Sequence, residues 1–356
     1  VLILSSVLFS CGREVVQSGR YLLNDLSVLR DSNFLAGSGR LVTVIPLESS
    51  KESLMGKVLK VALSSEFIFV QDNKDLFQFH RDGRFVRKIG NFGRGPQEHM
   101  TITDFTVVEG RQMIYIADND YFTQYDFDGN FIKKIKMGYL RRFEVFGDGD
   151  FIITPAVQYG NEPYKLIFKN ESGDTTARFK NLILYKSKTM YLYGQRKSIC
   201  KVGGGFIFHQ QFTDSVFTIN TRDKSLDYRY SFDFGSSALT TKTLEEGLEA
   251  VNKSVYISDL TETSDFIYLY CRSMGKNEKY AINKTTGEVC KPVFYIQDLM
   301  FDFWPKWQYG DSVMIDVVPA LHLIEKRDSL PASSIRPALM QLDENSNSLL
   351  VIIKVG

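Results

Sequence analysis

The sequence predicts an all-β fold: a six-bladed β-propeller, closed by an N-terminal strand pairing with the C-terminal strand and carrying short helical insertions. Three observations predict it. Residues 68–89 recur at 114–135, where a gapless alignment gives nine identities in 22 positions at a spacing of 46 residues. A fixed period of this size marks a repeated supersecondary unit. Each unit runs as short apolar-alternating strands around an Asp-Gly turn, Asp82-Gly83 and Asp128-Gly129, which is the pattern of hairpin-linked strands. Two apolar strands, 40–47 and 348–354, have no unpaired neighbour close in sequence. Pairing them with each other closes a ring and removes two edges that would invite aggregation.

The elements follow in order. Blade 1 takes 58–63, 67–71, 76–80 and 85–89. The glycine-rich link Gly90-Asn-Phe-Gly-Arg-Gly-Pro96 leads to blade 2, at 102–108, 113–117, 123–127 and 131–136. That link is not read as a phosphate loop, because a strand follows it and not a helix N-terminus. Blade 3 takes 142–146, 151–156, 164–169 and 175–179. Blade 4 takes 198–202, 206–210, 215–220 and 227–232, with Gly203-Gly-Gly205 as its first turn. Leu244, Leu248 and Val251 recur at helical spacing, so 240–252 is expected to be an amphipathic helix between blades. Blade 5 takes 254–259, 266–271, 278–283 and 288–293. Blade 6 is expected to start at 299–303 and 312–317, to be interrupted by a helix-like insertion over 319–342, and to end on 348–354 paired with 40–47.

Composition bounds the rest. The 356 residues are 44% hydrophobic and 13% aromatic, enough for one large ring with a full core. Lys+Arg 43 against Asp+Glu 42 leaves a net charge of +1, with no basic block of the kind that marks nucleic-acid binding. Cys11, Cys200, Cys271 and Cys290 include no C-x-x-C pair and no cluster with zinc spacing. The last three read as small apolar fillers, with a Cys271–Cys290 disulfide as the alternative.

Residues 1–10 form an uncharged apolar run, shorter than the ~20 residues a membrane span needs, and end in Leu8-Phe-Ser-Cys11. This is similar to a bacterial lipobox, although a basic n-region is not seen. The expected organisation is a signal peptide over 1–11 with lipidation at Cys11, a polar tether over 12–39, and a single propeller domain over 40–356.

Residues 41–47 (Leu-Val-Thr-Val-Ile-Pro-Leu), Gly56-Lys-Val-Leu-Lys-Val61, the two Asp-Gly turns, the stretch 90–98 and Asp343-Glu-Asn345 together resemble the six-bladed β-propeller lipoprotein family common in Bacteroidetes, which is related to NHL-repeat propellers. Gln97 stands where that family commonly has glycine, and a proline usual near the C-terminus is missing. The resemblance implies the fold and attachment to the Gram-negative cell envelope by lipid at the outer membrane. It implies no activity, since fold does not determine function.

Chemistry is sparse. His80, His99, His209 and His322 have no partner at metal-ligand spacing, and there is no G-x-S-x-G elbow. No catalytic or metal residue, no cofactor and no nucleic-acid partner is therefore expected. The expected function is a monomeric binding or scaffold module for a glycan, small ligand or envelope protein. The long segments at 90–100, 137–141, 181–195, 233–252 and 319–345 share one face, where a rigid scaffold presents its loops. On that face Arg94, His99, Arg141, Arg142 and Tyr191 are the candidate ligand-binding residues, the arginines suited to carboxylates or acidic sugars. Trp304 and Trp307 are placed in a loop on the opposite face, as an aromatic platform for a glycan. The alternative is a divalent-metal-dependent lactonase or esterase, with calcium over the central channel. Its candidate oxygens are Asp72, Asp104, Asp118 and Glu144. Asp72 and Asp118 occupy the same place in successive blades, which favours a turn-capping role.

Overall fold

The computed structural model describes residues 19–23, 29–35, 41–118, 120–138, 140, 142–155, 160–186 and 197–354. Cys11, Arg141 and Tyr191 lie outside the described residues. Six antiparallel sheets stand around a central axis. Blade 1 comprises Lys60–Leu63, Phe67–Gln71, Leu76–His80 and Phe85–Lys88 from axis to rim. Blade 2 comprises Asp104–Val108, Met113–Asp118, Tyr121–Asp126 and Phe131–Lys136. Blade 3 comprises Arg142–Phe146, Asp150–Thr154, Tyr164–Lys169 and Thr175–Lys180. Blade 4 comprises Ile199–Val202, Gly205–His209, Ser215–Asn220 and Ser225–Asp233, and blade 5 Val255–Glu262, Phe266–Ser273, Lys276–Asn283 and Val289–Val293.

Blade 6 is composite, as the two unpaired strands required. Trp307–Tyr309 pairs with Val313–Val318, which pairs with the C-terminal Leu349–Lys354, and Leu41–Pro46 completes the rim, running antiparallel from Leu41 opposite Lys354 to Pro46 opposite Leu349. Asn347 latches the junction. Its Nδ2 donates to the carbonyls of Glu48 (2.7 Å) and Ser53 (2.8 Å), and its Oδ1 accepts from the Met55 N–H (2.9 Å).

Blade 6 departs from expectation at its start. The inner strand is Trp307–Tyr309, not 299–303. Residues 295–302 form a two-residue ladder around a short 3-10 turn. Asp316 then accepts from the Trp304 N–H (2.9 Å) and pairs with Lys306 (2.7 Å), so the chain turns onto the second strand only after Pro305.

The segment read as a tether holds two further strands. Arg20–Leu22 adds parallel to the outer strand of blade 4, and Asp31–Asn33 adds parallel to that of blade 5. Tyr21, Leu23 and Phe34 are buried in the core clusters of those blades. With Leu41–Pro46 on blade 6, the N-terminal chain thus forms a belt along three successive rims. The outer strands of blades 1–3 are uncovered among the described residues and end in Arg-Lys, Lys-Lys-Ile-Lys and Arg-Phe-Lys, the charged edges that resist edge-to-edge pairing.

The inserted helix is broken in two, Thr241–Glu246 and Leu248–Lys253, at Gly247, which has φ of 105°. Leu244 and Val251 are buried as the periodicity required, against Tyr185, Phe212 and Tyr256. Leu248 is left exposed by the break. Cys200, Cys271 and Cys290 are free thiols. Cys200 and Cys271 are buried core fillers, and burial pushes the Cys200 thiol up to about 12. Among the described residues no helix is long and apolar enough to cross a membrane.

Candidate functional site

Strand direction divides the disc into two faces. One carries the tight hairpins, including Asp82-Gly83. The other carries the blade-to-blade connections, the loops between second and third strands, the helical insertion and the long 319–348 segment. The candidate surfaces are the axis and this loop-rich face.

The axis is crossed by the protein's own hydrogen bonds. Gln308, in the inner strand of blade 6, donates through Nε2 to the Lys201 carbonyl of blade 4 (2.6 Å) and the Glu262 carbonyl of blade 5 (3.3 Å). Lys197 reaches the Thr261 hydroxyl and the Pro305 carbonyl. The Tyr309 hydroxyl donates across to Glu109 of blade 2 (3.0 Å), whose other oxygen accepts from the Ser65 N–H of blade 1 (2.6 Å). Burial and the Glu109 carboxylate together raise the Tyr309 phenol above its usual range.

The carboxylates considered for a metal are engaged in the same way. Asp104 pairs with Lys60 (2.7 Å) and accepts from the Phe105 and Phe143 N–H groups. Glu144 pairs with Lys201 (3.1 Å) and accepts from the Thr106 hydroxyl (2.8 Å). Asp72 accepts from the N–H groups of Lys74, Asp75 and Gly56. Asp118 accepts from those of Met100 and Thr101. Gly56 and Met100 each lie four residues before an inner strand, at Lys60 and Asp104. The repeated aspartate therefore clamps the incoming connection onto its blade in blades 1 and 2, a structural task. Among the described residues no group of three or more His, Cys, Asp and Glu is placed to hold a metal ion.

The glycine-rich link is likewise filled. The Glu98 carboxylate folds back into it and accepts from the Gly95 N–H (2.7 Å), and a Cβ on Gly93 would lie 2.0 Å from Glu98 Oε2. The glycines make room for an internal anion. Glu262, fully buried between blades 4 and 5, is also structural. Burial alone would raise its carboxyl, but bonds from Arg229 (2.6 Å), Lys284 (2.8 Å) and Tyr230 (2.6 Å) hold it below the usual range. A cavity of ≈ 10 Å³ between blades 3 and 4 has room for about one water. Its Asn181 and Gln210 amides bond each other at 2.5 Å.

The candidate residues are thus dispersed. Arg94 is exposed on the link between blades 1 and 2. His99, on the same link, is 1% exposed, and its Nε2 lies 3.3 Å from the Lys74 carbonyl. Burial lowers its imidazole below the usual range. Arg142 opens the inner strand of blade 3 and donates to the Thr103 carbonyl (3.2 Å). The two tryptophans are not in a first-to-second strand loop. Trp304 precedes the inner strand of blade 6 and is 7% exposed, enclosed by Tyr268, Tyr270 and the Lys279 ammonium. Trp307 is the first residue of that strand and packs against the core between blades 6 and 1. Their rings form no open platform.

What the loop-rich face does present is apolar. Leu54, Phe92, Leu184, Leu248, Met274 and Leu321 are all exposed there. Single exposed leucines are ordinary. Of the exposed large hydrophobic residues among the described ones, however, only Leu22, Ile132 and Tyr228 lie on outer-strand positions of the rim, and the others lie on this face. Sequence patterning does not expose such residues, because a loop leucine that packs inward and one that points outward look alike.

A family described as a domain of unknown function, DUF4934, matches residues 39–354, from the closing strand to the last rung of blade 6. The chain belongs to the DUF4934 family. Among solved structures, this DUF4934 propeller is similar to a Bacteroides fragilis protein named "putative exported protein", with TM-score 0.77 and 16% identity over 96% of this chain and 100% of that one. It is also similar to a DUF4221-family member from Bacteroides vulgatus, with TM-score 0.55 and 11% identity over 89% and 97% of the two chains. At these identities the likeness is one of fold. No curated protein matches the sequence.

Proposed function

We propose that this DUF4934 propeller is exported, anchored by lipid at Cys11 to the envelope of a Gram-negative bacterium, and docks a partner protein on its loop-rich face. The observation that carries the reading is the set of exposed apolar side chains on that face, mostly aliphatic, with Phe92 and Tyr121 capped by Lys74 and Lys134, beside an axis whose polar groups bond one another. Leu184, Leu248 and Met274 offer little to a sugar, which needs flat aromatic faces and converging hydrogen-bond groups, but they suit a protein interface core. The export reading is supported by the apolar run ending at Cys11 and by the name of the Bacteroides fragilis relative.

Two experiments test it. Cys11→Ala is expected to move the protein from the membrane to the soluble envelope fraction, and unchanged fractionation rejects the anchor. Photo-crosslinkers at Leu184 and Leu248 in cells are expected to trap a discrete protein adduct, while one at Arg84 on the hairpin face traps none. Equal labelling from both faces, or an array showing a glycan ligand instead, rejects the docking face.

A further inference from the structure

The belt shortens the distance between the anchor and the folded domain. By sequence pattern the tether extends to residue 39, but Gly19 is already fixed to blade 4: its carbonyl accepts from the Ser231 N–H (2.8 Å) and the Tyr228 hydroxyl (3.3 Å). Gly19 has φ of 70°, and a Cβ there would lie 2.9 Å from the Arg229 carbonyl, so the chain meets the rim in a turn that only glycine fits without strain. Eight residue steps separate Cys11 from Gly19, a span of at most about 28 Å at roughly 3.5 Å per residue. A folded chain of this length is about 50 Å across. A lipid on Cys11 therefore keeps the blade-4 rim close to the bilayer and lets the far side of the ring stand away from it.

The surface at that point is suited to the position. Leu22 is 48% exposed and Tyr228 is 54% exposed, and the two lie on either side of Gly19 on the blade-4 sheet. Arg20, 61% exposed, lies between them in the belt strand and pairs with Asp233 (2.7 Å). A tyrosine, an aliphatic residue and an arginine are the side chains that settle at a lipid headgroup boundary, apolar part inward and polar end in water. Tyr21, between Arg20 and Leu22, points instead into the core, as strand alternation requires.

We infer that the blade-4 rim, through Leu22 and Tyr228 around Gly19, is the surface that rests on the phospholipid headgroups, so that the disc stands on edge with its loop-rich face open to the side. The inference rests on lipidation of Cys11 and goes beyond it in assigning an orientation. It also bears on the docking face, since a ring lying flat on its loops would bury the aliphatic residues in lipid.

The test uses the lipidated full-length protein reconstituted into phospholipid vesicles. Nitroxide labels are placed in a Cys290→Ser background at Tyr228→Cys, at Ile132→Cys on the blade-2 rim, and at Leu184→Cys on the loop-rich face. Reconstitution is expected to cause a several-fold loss of accessibility to a water-soluble nickel chelate at position 228, and none at 132 or 184. Shielding at 184, or equal values at all three sites in a vesicle-bound protein, overturns the orientation while leaving the anchor standing. If Cys11→Ala binds vesicles as well as the parent does, the anchor fails and the inference fails with it.

Discussion

Asn347 carries more of the ring closure than its place in a polar turn suggests. Its side chain bonds the Glu48 and Ser53 carbonyls and the Met55 N–H, so truncation strands three backbone groups. Unpaired buried groups cost about 1–3 kcal/mol each, partly recovered by relaxation. Asn347→Ala is expected to destabilise the fold by about 3 kcal/mol, read as a lower denaturation midpoint in urea. His209 makes stability depend on pH. Burial lowers its imidazole to about 4, and its Nε2 bonds the Thr213 carbonyl at 3.0 Å. The unfolded ring titrates near 6.5, so between the two values the unfolded chain holds a proton that the folded chain lacks. Stability is then full above about pH 6.5 and falls as the pH drops toward 4, by up to about 3 kcal/mol. His209→Gln is expected to reduce the difference between urea midpoints at pH 7 and pH 5; an unchanged difference refutes the assignment. Sequence showed His209 only as a polar residue near a strand end, because its burial depends on the turn to Thr213 and on the packed ring around it.

At the scale of elements, the repeated turn and the belt govern the edges. Gly83 holds φ of 93° in the blade-1 hairpin, and a Cβ there would meet the Pro46 carbonyl at 2.1 Å. Gly83→Ala therefore strains the turn and pushes against the closing strand. A loss of about 2–3 kcal/mol is expected, on the scale of strained backbone conformations, and a much smaller loss would show that the two strands separate freely. The belt has a different role. Without residues 19–35 the outer strands of blades 4 and 5 lose their covering strands and the buried Tyr21, Leu23 and Phe34. A chain starting at residue 36 is expected to associate beyond the monomer in light scattering, because the freed edge of blade 4, Ser225–Asp233, lacks the lysines of blades 1–3, whereas that of blade 5 keeps Lys291 and Pro292. These two strands were not legible in the sequence. Each has three residues, and Asp31-Ser-Asn33 has no apolar alternation. Only the open edge of blade 5 makes it a strand.

For the whole molecule, the ring is as strong as its composite blade. Leu349–Lys354 is buried along five of its six residues, and Leu41–Pro46 covers its outer edge. Thr43→Pro would remove a ladder donor and restrict the backbone inside that pairing. It is expected to lower the thermal midpoint and to reduce the cooperativity of unfolding. An unchanged melt would mean that blade 6 holds without its N-terminal strand. The docking face and the membrane-facing rim also belong to this scale, since each collects residues from distant parts of the chain.

The period of 46, the Asp-Gly turns and the two unmatched strands were sufficient to determine six blades and their closure. Repetition and alternation are local properties, and a ring is the arrangement that pairs every strand they define. The same regularity marked Asp72 and Asp118 as structural, turn-capping residues; that they clamp the incoming connections through Gly56 and Met100 came from the structure. Tertiary structure decided what those patterns leave open. It decided that blade 6 begins after Pro305, because Asp316 draws Trp304 and Lys306 onto the second strand. It decided that Trp304 is enclosed, that Trp307 packs against the core between blades 6 and 1, and that the axis is crossed by Gln308, Lys197 and Tyr309. It also decided that Gly19 is already bonded to the blade-4 rim. Each of these depends on which groups meet in three dimensions, and such contacts, from Asp316 with Trp304 inside blade 6 to Gln308 with Lys201 across the axis, leave no period in the sequence.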